Sequence, residues 1–188
     1  MYCVLVIDML YEFVYGRLSS PYSRSIVPNI VKIVDMARKH GVPVIHVVDS
    51  HLPVDIEVRR IWGPHAMKGS TDSRIIPELE PRSEREFVLE KRWYSGFRGT
   101  GLAQLLRDLD VKCIIVTGIA TNICVLHTVS DAVYERFDVI IVSDATAAIP
   151  VIFEDPVKEH EMFLRYMSKV HAAKIVRTED VLSILTCR

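Results

Sequence analysis

The sequence predicts a three-layer α/β/α domain built on a parallel sheet of about six strands. Three observations carry that prediction. Six short, nearly continuous apolar runs recur along the 188 residues. Longer segments with apolar residues on one helical face lie between them. Polar residues, Asp8, Asp49 and Lys91 among them, directly follow apolar runs. Strands apolar on both faces belong to parallel sheets covered by helices on both sides.

The elements follow in order. Tyr2–Ile7 is the first strand. Asn29–His40 reads as a helix, with Ile30, Ile33, Val34 and Ala37 on one face and Gly41 as its stop. Pro43–Val48 is the second strand, and a long irregular stretch, Asp49–Arg85, follows it, rich in Pro, Gly, His and charge. A loop region of that length in a compact domain is usually functional. Phe87–Glu90, Lys112–Thr117, Val139–Val142 and Ala173–Val176 read as the remaining strands. Gly101–Leu109, Asn122–Arg136 and Asp155–Val170 read as helices between them, and Thr178-Glu179-Asp180 opens a last one with an N-cap and an acidic first turn. No repeat, low-complexity tract or linker interrupts the pattern, so one domain over residues 1–188 is expected.

Composition narrows the function classes. The chain is 49% hydrophobic and 25% charged with a net charge of −1, which gives no electrostatic ground for binding nucleic acid or an anionic membrane. No apolar run approaches the roughly 20 residues of a membrane span. The N-terminus lacks the charged region of a signal peptide. The four cysteines have no paired spacing, which suits a reduced, cytoplasmic setting without a disulfide framework. Cys3, Cys113 and Cys187 are expected to serve packing or to lie at the terminus.

Cys124 stands apart. It lies in Gly118-Ile-Ala-Thr-Asn-Ile-Cys124-Val, where an apolar strand turns into a helix. A helix N-terminus presents free N–H groups and a partial positive charge. That setting predicts a lowered thiol pKa and a ready place for the oxyanion of a tetrahedral intermediate. In open α/β sheets ligands bind beyond the carboxyl ends of the strands. Asp8, Asp49 and Lys91 fall at such ends and can converge with Cys124. Asp8 alone reads as a cap, and Lys91 alone as a solvated lysine. Together with Cys124 they suit a general base, a cation that favours the thiolate and keeps Asp8 ionised, and a nucleophile. His127, three residues after Cys124, is a rival base of lower rank, because a helical side chain leans away from the cleft that Cys124 must face.

Asp49-Ser50-His51 places two metal-ligand types on one side of an extended chain, and His65 follows in Trp62-Gly-Pro-His65. One carboxylate and two imidazoles suit a divalent ion, Zn²⁺ first with Fe or Mn as alternatives, with positions left open for water or substrate. The bland reading is a polar loop that happens to contain histidine. Phe13, Trp62 and Tyr94 are candidates to line a pocket for a planar substrate. His46 reads as a core histidine within a strand.

These residues resemble the isochorismatase-like cysteine hydrolases, a family that includes nicotinamidase and N-carbamoylsarcosine amidase. Val6-Ile-Asp8-Met-Leu-Tyr-Glu-Phe13 is similar to the family's aspartate motif, Leu89-Glu-Lys91-Arg-Trp-Tyr-Ser-Gly-Phe97 to its lysine motif, and Gly118–Val125 to its cysteine motif, the most specific of the three. The resemblance spans nearly the whole chain. It implies the family's Rossmann-like fold and a catalytic triad of Asp8, Lys91 and Cys124. It also implies a cis peptide between Ile119 and Ala120, and an oxyanion hole from the Ala120 and Cys124 backbone N–H groups. Asp49, His51 and His65 resemble the metal motif of nicotinamidases, and the resemblance also implies a homo-oligomer, a dimer or tetramer, supported by the helices as in relatives. The chain departs from nicotinamidases in Thr121-Asn-Ile before the cysteine, where they commonly carry Thr-Asp-Tyr, and in Leu10 and Glu12, where they usually carry Gln and Asp.

The expected reaction is hydrolysis of a small carboxamide with release of ammonia, nicotinamide first. A carbamoyl amino acid is the alternative, and its carboxylate would want an arginine, with Arg17, Arg59, Arg60 and Arg98 as candidates. Vinyl-ether hydrolysis is less expected, since it does not require the cysteine. A noncatalytic Rossmann-like nucleotide-binding module is the alternative of another class. Against it, the first strand runs into Asp8-Met-Leu-Tyr-Glu-Phe without a glycine-rich phosphate turn.

Overall fold

The computed structural model describes residues 1–186, so Cys187 lies outside the described residues. Six strands form one all-parallel sheet: β1 (Tyr2–Ile7), β2 (Val44–Asp49), β3 (Glu86–Lys91), β4 (Cys113–Ile119), β5 (Asp138–Ala147) and β6 (Lys174–Val176). Their order is β3-β2-β1-β4-β5-β6. The chain winds outward from β1 in one direction and from β4 in the other. The switch point of the sheet therefore falls between β1 and β4, where a doubly wound sheet opens its ligand crevice.

The two faces of β1 separate the core into two layers. Val4 and Val6 pack with Ile30, Ile33 and Val34 of α3 (Val27–Lys39) and with Val181 and Leu185 of α7 (Thr178–Thr186). Cys3, Leu5 and Ile7 pack on the other face. There they meet Leu102 of α4 (Leu102–Asp108), Val129 of α5 (Leu126–Tyr134) and Met167 of α6 (Pro156–Val170). This is the three-layer arrangement that the apolar runs predict. His46 is buried beside Glu86, as a core histidine should be, and Cys3 is buried as expected, with Cys113 half-buried. Among the described residues no helix is long and apolar enough to cross a membrane.

Several boundaries differ from the sequence expectation. β2 and β3 run one residue further, so Asp49 and Lys91 are their last residues and pair directly across the sheet. β5 continues past Val142 to Ala147, because a register shift opposite Val116–Gly118 lets it resume pairing with β4. The helix expected from Asn122 begins as a widened π-helical turn, Thr121–Val125, before α5. Two short helices, α1 (Tyr11–Val14) and α2 (Pro21–Ser25), occupy a segment with no helical periodicity. Local capping builds the second: Ser20 and Ser23 form a reciprocal capping box with Pro21 at the first helical position.

Gly118 is the one glycine that the site cannot replace. Its φ is 105°, and a Cβ there would stand 2.0 Å from the Ile7 carbonyl oxygen. Strand β4 thus comes close against β1 where the cysteine turn begins. The Ile119–Ala120 peptide is cis, as the resemblance implies.

Candidate active site

Four adjacent strand ends deliver the site. Asp8 follows β1 in the left-handed region, with φ 51°, a conformation aspartate tolerates better than most residues. Asp49 ends β2, Lys91 ends β3, and Cys124 stands in the turn after β4. All four are buried. Lys91 Nζ lies at the centre. It sits 2.8 Å from Asp8 Oδ2 and 3.6 Å from Cys124 Sγ, and it also contacts Asp49 Oδ1. The Asp49 backbone N–H donates to Asp8 Oδ1 at 2.8 Å, which fixes the carboxylate from below.

The electrostatics correct one sequence expectation. Burial pushes the Cys124 thiol well above its ordinary range; Lys91 pulls it down, but the Asp8 and Asp49 charges oppose that pull. These influences favour a neutral thiol at Cys124 rather than a preformed thiolate. Burial and the Asp49 charge raise Asp8 to about 6 against the pull of Lys91. Asp49, in spite of its burial, is held at about 2 by Lys91 and His51. Lys91 loses to burial but gains more from Asp49, Asp8 and Cys124, so its ammonium is firmly charged.

A second cluster adjoins the first through Asp49. Its carboxylate, His51 and His65 each present a ligand atom within 4.8 Å of the others. The outer nitrogens of both rings are engaged. His51 Nδ1 lies 3.3 Å from Asp55 Oδ2, and His65 Nδ1 donates to the Gly63 carbonyl at 2.7 Å. Asp55 is in turn gripped by Arg92. Such outer partners fix ring orientation and leave Nε2 for a metal. His51 Nε2 is buried and closes no hydrogen bond, although Asp49 Oδ2 lies at 3.6 Å and Glu57 Oε2 at 3.7 Å. An orphaned imidazole nitrogen facing two carboxylates fits a divalent cation.

Glu57 is a site residue that sequence reasoning missed. It stands on a π-helical turn, Glu57–Ile61, inside the long irregular stretch, and is buried facing the cavity. Burial and the Asp49 charge raise its carboxyl to about 7. No periodic pattern marks it, since its turn is flanked by loop on both sides.

Above both clusters opens a cavity of about 350 Å³. Phe13, Trp62 and Tyr94 line it, as anticipated, and the Trp62 indole N–H donates to Tyr94 Oη at 3.1 Å. Ser19, Ser20 and Ser23 join the wall on the side of α2. No lysine or arginine among the described residues lines it. Arg17, Arg59, Arg60 and Arg98 are all exposed and stay outside: Arg17 donates to the Pro64 carbonyl, and Arg98 lies over the Trp93 ring. His127 is exposed, donates Nδ1–H to the Ile123 carbonyl at 2.8 Å and is not among the cavity-lining residues.

Residues 2–180 match the isochorismatase domain. The chain belongs to the isochorismatase family. Among relatives of known sequence, Nicotinamidase 3 of Arabidopsis thaliana is 34% identical over 148 residues, covering 77% of this chain and 72% of that one. Among solved structures, N-carbamoylsarcosine amidase from Thermoplasma acidophilum superposes with a TM-score of 0.85 at 38% identity, covering 94% of this chain and 96% of that one. Pyrazinamidase of Pyrococcus horikoshii in complex with zinc superposes with a TM-score of 0.80 at 27% identity, covering 94% and 98%. This isochorismatase-family chain thus shares its fold with amidases whose named substrates differ.

Proposed function

We propose that this protein is a cysteine-dependent amidohydrolase that converts nicotinamide, or a closely similar flat aryl amide, to the acid and ammonia. The observation that carries the reading is the Lys91-centred cluster: a buried thiol and a buried carboxylate, both facing the cavity, share one ammonium behind them. Aromatic walls suit a planar ring. The lack of a lysine or arginine on the wall argues against a carbamoyl amino acid, whose carboxylate would find no cationic side chain there and would lie near Asp8, Asp49 and Glu57.

Asp8 takes the thiol proton as Sγ attacks the amide carbon. Negative charge develops on the carbonyl oxygen, and the Ala120 and Cys124 N–H groups receive it. Asp8 then returns the proton to the departing nitrogen, and ammonia leaves a thioester behind. A water gives its proton to Asp8 and attacks the thioester carbon. Collapse releases the carboxylic acid and the sulfur, which recovers its proton from Asp8. Lys91 stays charged throughout and holds Asp8 and Asp49 in register. Asp49, His51 and His65 would hold a divalent ion, zinc first with iron or manganese as alternatives. When bound, that ion supplies a Lewis acid for a ring nitrogen or a water.

The test is ammonia release from nicotinamide, pyrazinamide and N-carbamoylsarcosine, before and after chelation. The two aryl amides are expected to turn over, to fail after chelation and to recover with Zn²⁺. Silence on both, or preference for the carbamoyl compound, overturns the substrate assignment. The base role of Asp8 carries a pH signature. Only its ionised form accepts the thiol proton, and its pKa is raised to about 6. The kcat/KM for the amide therefore falls as pH drops through about 6 and is level just above it. A profile flat through that range removes Asp8 as the base.

A further inference from the structure

Residues 149–153 leave the end of β5 region as an irregular segment and form one wall of the cavity at Ile149 and Pro150. Packing does not hold this segment. Val151, Ile152 and Phe153 are 54%, 63% and 41% exposed. Polar contacts hold it instead, and they converge on two side chains. Asn122, two positions before Cys124, donates through Nδ2 to the Ile149 carbonyl at 2.9 Å and accepts the Ile149 N–H on Oδ1 at 3.3 Å. Glu159, in the first turn of α6, is fully buried. Its Oε2 accepts the Ile152 N–H at 3.1 Å and the Phe153 N–H at 2.9 Å. Its Oε1 accepts from Asn122 Nδ2 at 3.0 Å.

A buried carboxylate is costly unless its oxygens are well supplied with donors. None of the ion pairs among the described residues includes Glu159, so backbone and amide N–H groups do the supplying. The result is a three-part brace: α6 through Glu159, the cysteine turn through Asn122, and the cavity wall through residues 149–153. Fixing the wall to the turn that carries Sγ fixes the width of the space between them.

We propose that Glu159 and Asn122 are positioning residues that set the size limit of the acyl pocket by bracing the wall at Ile149 and Pro150 against the Cys124 turn. The proposal rests on the reading of Cys124 as the nucleophile facing that cavity, but its test needs no amide turnover. Alkylation of Cys124 by iodoacetamide and by the bulkier N-phenyl iodoacetamide is followed by peptide mass spectrometry at pH 8, in Glu159→Ala, Glu159→Gln and wild type. The ratio of small-probe to large-probe rate at Cys124 is expected to fall about tenfold in Glu159→Ala as the wall loosens. Glu159→Gln, which keeps one acceptor oxygen, gives an intermediate ratio.

Glu159→Ala risks misfolding, so the swap serves as the second arm. Asn122→Asp sets a carboxylate against Glu159 and lowers the ratio in the same way. Asn122→Asp with Glu159→Gln rebuilds one donor–acceptor pair in reverse and restores most of it. A purely structural role would lower Tm in these variants and leave the ratio of the folded protein where it was, and that outcome overturns the proposal. So does a swap that restores nothing. A ratio that responds in a protein releasing no ammonia upholds the brace and sinks the amidase reading. Ammonia release with an unmoved ratio does the reverse.

Discussion

Cys124→Ala removes ammonia release by a factor on the order of 10⁵ or more, while the protein stays folded. The reasoning runs through the covalent step. Without Sγ no thioester forms, and the remaining groups can only assist direct attack by water on the unactivated amide, a much slower route. The lost packing is small, since one buried sulfur is exchanged for a hydrogen, and costs about 1 kcal/mol. Steady-state ammonia assay and thermal unfolding check both halves. Residual turnover within about tenfold of wild type would remove the nucleophile assignment. Cys124→Ser fares little better, because a hydroxyl is harder for Asp8 to deprotonate than a thiol already pushed up by burial.

Lys91→Met is expected to lose both activity and stability. It leaves Asp8 and Asp49 buried side by side with no cation between them. Removing one member of a buried ionic set costs about 3–5 kcal/mol, or a Tm lower by roughly 10 °C for a chain of this size. The sign with pH follows. In the variant the two carboxyls are pushed above their unfolded values, so the neutral form is favoured in the fold. That stability is present at low pH and lost as pH rises through the folded values. The deficit against wild type therefore narrows on acidification. Turnover drops about 10²–10³-fold as Asp8 loses its register and its ionised form. Thermal melts across pH with kcat/KM at neutral pH decide the matter; an unchanged Tm would mean that Lys91 is not the counter-ion of the pair.

Much of this was legible in the sequence, for definite reasons. A strand buried on both faces must be apolar, so Val4-Leu-Val-Ile7 and Cys113-Ile-Ile-Val116 declare themselves, and the polar residue that follows marks the carboxyl end. Asp8, Asp49 and Lys91 were found in this way. Glu57 and Glu159 were not. Each is a buried carboxylate whose partners come from segments distant in sequence or irregular in backbone, His51 beside Glu57 and the Ile152 N–H on Glu159, and such partners leave no periodic trace. The thiol pKa was misjudged for a similar reason. The helix start was visible, but neither the depth of burial of Sγ nor the second carboxylate that β2 brings beside it was, and both raise the thiol. The sharing of Asp49 between Lys91 and the His51–His65 cluster also appears only once β2 and β3 are paired in register.

The placement of the four groups has a consequence for how the site comes into being. They are spread from position 8 to position 124, yet they meet only because β3, β2, β1 and β4 lie side by side. No single segment contains a partial version of the site that could act early. A newly made chain must emerge past Cys124 and close its long-range parallel pairings, the slow kind to form, before any chemistry is possible. Competence therefore arrives late and all at once, as a property of the finished sheet.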